Sequence, residues 1–160
     1  VVQDIVICDK KCHDKPLICF TWQSIKVPNF LILENLNFKG KAITVASEQG
    51  PENTIIDGNQ TDSVVTFNLE EGNTSVLSGF TLQNGKADFG GGGIRISGSS
   101  PTITDNIITN NKASNGLGIE IYFGSPIIQG NTIKNNSRDG LTTIEIILRL
   151  KSSEGVYRQS

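Results

Sequence analysis

Arg95, Glu120 and Glu145 recur 25 positions apart, each set between isoleucines as Ile94-Arg95-Ile96, Ile119-Glu120-Ile121 and Ile144-Glu145-Ile146. Successive side chains of a strand point to opposite faces, so inward isoleucines place the three charged groups outward together. Thr66, between Val65 and Phe67, precedes them in looser register. Such a strip supports two readings: an ion pair between Arg95 and Glu120 across neighbouring strands, or a ligand-contacting surface.

Other reactive side chains assemble into less. Cys8, Cys12, His13 and Cys19 place four soft ligands within twelve residues. Zinc knuckles pair ligands two to four residues apart at two separate places, and the second pair is missing, so no metal is expected and at most one intrachain disulfide. Asp57, Asp62, Asp88 and Asp105 occur singly, and the pair Glu70-Glu71 sits in a turn beside Gly72. Gly90 to Gly93 lacks the Lys-Ser/Thr and the helix of a phosphate loop. No catalytic set and no cofactor are therefore expected. Threonines do not recur at 25, which argues against an ice-binding face, and three glycosylation sequons at Asn59, Asn73 and Asn135 are what an Asn-rich chain generates by chance.

The elements that carry these residues follow from composition and period. A 160-residue chain is one domain's worth of material. With 17 Gly and 15 Asn among abundant Ile and Val, it favours short strands and tight turns over helices. A net charge of −2 without a basic cluster argues against nucleic acid, and no apolar run is long enough for a membrane-spanning helix. Beyond the Ile-x-Ile units, Ser100-Pro101-Thr102-Ile103 returns as Ser125-Pro126-Ile127-Ile128. Asn106, Ile108, Asn110 and Asn111 return as Asn131, Ile133, Asn135 and Asn136. Leu77 to Asn84 matches Ile103 to Asn110 at an offset of 26. Units of two or three very short strands must stack on one another, residue i above residue i+25 at about 4.8 Å. The expected fold is all-β, a parallel β-solenoid of about five coils over residues 31–150 and on the order of 24 Å long. Interior ladders run through Ile94, Ile119 and Ile144 and through Ile96, Ile121 and Ile146, and the repeated asparagines form a turn ladder along the axis.

These motifs resemble the right-handed parallel β-helix repeat proteins of the pectate-lyase-like superfamily. The resemblance covers residues 34 to about 140, through Glu34 to Val45, Gly50 to Gly58, Ser75 to Gly85, Gly91 to Ile94 and the two Ser-Pro-x-Ile-x-x-Asn repeats. It implies a right-handed β-helix and a secreted or cell-surface setting. Enzymes of that superfamily hold polysaccharide on an outward strip such as the one through Thr66, Arg95, Glu120 and Glu145. The clustered aspartates of the calcium-dependent lyases and the adjacent aspartates of the glycosidases have no counterpart here. The leading expectation is a non-catalytic secreted or surface β-helix module contacting carbohydrate, either a polysaccharide or a cell-surface glycan, or serving adhesion. The alternative is a polysaccharide lyase or hydrolase, or a fragment of a larger β-helix protein. Residues 1–30, with all the cysteines, read as an atypical segment or cap, and 151–160 as a polar tail. If the chain is a fragment, its exposed coil ends are expected to pair with copies of itself.

Overall fold

The strands are two to four residues long, too short to bury a face alone, and the chain coils so that each strand lies on its equivalent in the next turn. The computed structural model describes residues 24–27 and 31–138, and every regular element in them is a strand. The first circuit holds β1 (Ser24–Val27), β2 (Leu31–Leu33) and β3 (Leu36–Asn37). The second holds β4 (Thr44–Ser47), β5 (Ile55–Asp57) and β6 (Val65–Phe67). The third adds a strand: β7 (Val76–Ser78), β8 (Thr81–Gln83), β9 (Lys86–Ala87) and β10 (Ile94–Ser97). The fourth repeats it with β11 (Thr102–Thr104), β12 (Ile107–Thr109), β13 (Lys112–Ala113) and β14 (Ile119–Tyr122). A fifth begins with β15 (Ile127–Gln129) and β16 (Thr132–Lys134).

All pairings are parallel and join successive circuits, giving sheets in the orders β1-β4-β7-β11-β15, β2-β5-β8-β12-β16 and β3-β6-β10-β14, with the short pair β9-β13. The expected register holds: Ile94 pairs with Ile119, Ile103 with Ile128 and Ile108 with Ile133, and Leu77 pairs with Ile103 at the longer step. Four circuits and the start of a fifth lie in the described residues. Ile144, Glu145 and Ile146, and the cysteines with His13, lie outside them.

The core is a column of stacked side chains from the three sheets. Ile56, Leu82 and Ile108 line one wall, Val45, Leu77 and Ile103 the second, and Val65, Ile94 and Ile119 the third, all buried. Phe38 and Phe67 pack against each other within the core, tilted by 35° with ring centroids 4.3 Å apart. At the corners the repeated asparagines divide two tasks. Asn84, Asn110 and Asn135 take left-handed backbone, each with φ of 56°, a conformation Asn tolerates better than most residues. Asn106 and Asn111 turn inward. The Asn111 amide donates to Leu82 O and to Asn136 Oδ1, both at 3.0 Å, and its own Oδ1 accepts the Gly85 N–H at 2.8 Å. Asn106 does the same with Leu77 O, Asn131 Oδ1 and the Phe80 N–H. These ladders satisfy backbone groups that the corners would otherwise leave orphaned in the core.

Glu71, in sequence one of a pair of acids in a turn beside Gly72, is only 2% exposed. Its Oε1 accepts the Gly40 N–H at 2.9 Å, and its Oε2 accepts the Leu69 N–H at 2.9 Å and the Ser99 hydroxyl at 2.7 Å. One carboxylate thereby ties together the corners that follow β3, β6 and β10. Burial pushes its pKa up, but the hydrogen bonds from Gly40, Leu69 and Ser99 and from its own backbone outweigh that and hold the group below the ordinary 4.5.

Candidate functional site

The outward column of the β3-β6-β10-β14 sheet is Asn37, Thr66, Arg95 and Glu120, paired rung by rung. All four are half-buried. Thr66, Arg95 and Glu120 are brought together as the repeat implies, Asn37 joins them unforeseen, and Glu145 lies outside the described residues. The column does not behave as a simple ion pair, because Arg95 has no carboxylate partner among the described residues. Instead the Arg95 stem lies on the backbone of Gly90, where a Cβ would meet Arg95 Cδ at 2.8 Å and Nε at 3.2 Å. Gly90 has φ of 109°, so the missing side chain both permits that turn and makes room for the arginine. The guanidinium is thereby drawn toward the loop after β9.

That loop and the corner after β5 enclose a groove of about 460 Å³ lined by Gln60, Thr61, Asp62, Lys86, Asp88, Phe89 and Arg95. Its far wall is tied by hydrogen bonds. Asn59 and Gln60 have φ of 48° and 57°, the Asn59 N–H donates to Asp57 Oδ1 at 2.9 Å, and the Thr61 hydroxyl donates to Asn35 Oδ1 at 2.6 Å. Asp62 accepts the Ser63 N–H at 2.7 Å through Oδ1, while its backbone carbonyl accepts the Lys86 N–H at 3.0 Å and ties the two walls together. Near this wall the Ser63 hydroxyl is buried with no hydrogen-bond partner among the described residues. On the other wall Phe89 is 79% exposed, the most exposed large apolar side chain among the described residues. The lining thus carries two carboxylates, two cations, an amide, a hydroxyl and one aromatic ring.

A second aromatic feature lies at the opposite end of the same sheet. Tyr122 and Phe123 pack edge to face at 4.5 Å, both exposed, with Phe123 held at φ of 55°. Two exposed aromatic features thus accompany this sheet, Phe89 in the loop before β10 and Tyr122 at the end of β14.

Sequence reasoning placed the column and missed the groove. Asp62 and Asp88 occur singly in the sequence; one circuit of the solenoid is what brings them to a common groove. The available signal was Phe89, an aromatic residue between Asp88 and Gly90, outside any apolar alternation and so without a place in the core.

A family model described as a right-handed beta helix region matches residues 19–145. No curated protein and no solved structure matches the chain.

Proposed function

Because this chain belongs to the right-handed β-helix family, whose fold alone assigns no activity, we propose that its groove contacts carbohydrate. In this reading the chain is a non-catalytic module, secreted or at a cell surface, and its natural partner is a polysaccharide or a surface glycan. The observation that carries the reading is the exposed Phe89 ring beside a lining of hydrogen-bonding groups. A sugar ring presents an apolar C–H face and an edge of hydroxyls. Phe89 offers a surface for the first, while Asp62, Gln60, Lys86 and Arg95 offer acceptors and donors for the second. Thr66 and Glu120 extend the polar surface along the axis, which suits a chain ligand longer than one residue.

The test is a binding screen of neutral and acidic polysaccharides with wild-type protein, Phe89→Ala and Glu120→Ala. Phe89 rests on solvent, so its truncation is expected to leave thermal stability unchanged while weakening binding roughly three- to tenfold, the worth of one stacking contact. Binding that survives in both variants removes the groove as the site. Product formation in ultraviolet or reducing-end assays on the same panel replaces the non-catalytic reading with a lyase or a hydrolase.

A further inference from the structure

The sequence contains two Asn-Gly steps, Asn84-Gly85 and Asn115-Gly116. In such a step the following backbone nitrogen meets no side-chain obstruction and can attack the Asn carboxamide. The new N–Cγ bond closes a five-membered succinimide, the Cγ–Nδ2 bond breaks, and the NH2 group takes up the proton given up by the backbone nitrogen and leaves as ammonia. Water then opens the ring at either carbonyl to give an aspartyl or an isoaspartyl residue. The net change is addition of water and loss of ammonia, with no oxidant or cofactor. What decides the rate in a folded chain is whether the carboxamide and the attacking N–H are free to meet.

The two steps differ in that respect. Asn84 Nδ2 donates to Asp57 Oδ2 at 2.7 Å, and the Gly85 N–H donates to Asn111 Oδ1 at 2.8 Å inside the buried ladder. Gly85 is also wedged against Gly92, whose carbonyl oxygen occupies the space of a Cβ. Both reacting groups of Asn84-Gly85 are therefore pinned on separate partners. Asn115 lies half-exposed in the corner between β13 and β14, and among the described residues neither its carboxamide nor the Gly116 N–H has a hydrogen-bond partner. Gly116 has φ of 54° and sits against the Glu120 side chain, where a Cβ would meet Glu120 Cβ at 2.5 Å.

We propose that Asn115 is a site of spontaneous succinimide-mediated deamidation in the folded protein and that Asn84 is protected from it by the asparagine ladder. The product places a carboxylate one residue from the glycine that packs on Glu120, so ageing adds negative charge beside the outward column. This inference stands whether or not the groove binds carbohydrate.

The experiment incubates the full chain at mildly alkaline pH, folded and in urea, and follows each Asn-Gly peptide by mass and by isoaspartyl content, with Asn115→Gln alongside. In urea both steps are expected to convert at similar rates. In the folded chain the Asn115 peptide is expected to convert more than about tenfold faster than the Asn84 peptide, and the Gln variant, whose ring closure is slower, to lose that signal. Conversion at Asn84 as fast as at Asn115 in the folded chain, or an Asn115 that converts in urea and not when folded, overturns the proposal.

Discussion

Replacing Glu71 by Gln keeps the shape of the side chain and removes its charge. Three donors converge on the carboxylate: the Gly40 and Leu69 N–H groups and the Ser99 hydroxyl. A Gln amide has one acceptor oxygen. If its NH2 replaces Oε1 it faces the Gly40 N–H; if it replaces Oε2 it faces the Leu69 N–H, although Ser99 can reverse and accept. Either way a buried backbone donor loses its partner, at about 1–3 kcal/mol, and the remaining bonds lose their charge assistance. The total is about 2–4 kcal/mol, a large share of the stability of an ordinary domain, and corresponds to a fall in Tm of roughly 5–15 °C. Acidity gives the discriminating assay. The folded pKa of Glu71 is lowered, so its contribution is fully present above the unfolded carboxylate value and is lost as pH falls through the folded one. Thermal melts of wild type and Glu71→Gln should therefore be separated by a constant interval at neutral pH and converge in acid below 4.5. An interval within about 0.5 kcal/mol at neutral pH, or one that does not shrink on acidification, refutes the stapling role.

Asn111→Ala leaves the Gly85 N–H and the Leu82 carbonyl without their partner and is expected to cost about 2–4 kcal/mol in urea unfolding. Gly93→Ala would drive a Cβ to 2.5 Å from Ile108 Cγ2 and 2.6 Å from the Gly118 carbonyl, for an expected loss of about 1–3 kcal/mol. Gly72→Ala meets nothing within 4 Å and is expected to stay within about 0.5 kcal/mol in the same unfolding series.

The 25-residue period and the alternation Ile-x-Ile are one-dimensional signals, and they determined what stacks on what. Because strand side chains alternate and neighbouring rungs repeat, Ile94 over Ile119, the column Thr66, Arg95, Glu120 and the paired asparagines all follow from spacing alone. The same information does not reach the corners. Whether Arg95 pairs with Glu120 or leans on Gly90 depends on the φ of a glycine outside the strand, and whether Glu71 is exposed or buried depends on three corners separated by about thirty residues each. The groove was decided the same way: Asp62 and Phe89 lie in unrelated stretches of sequence, and the solenoid brings their corners side by side where left-handed turns and backbone hydrogen bonds aim them outward. Repetition thus specified the scaffold from sequence, and the irregular turns, whose conformation rests on contacts distant in the chain, specified the site.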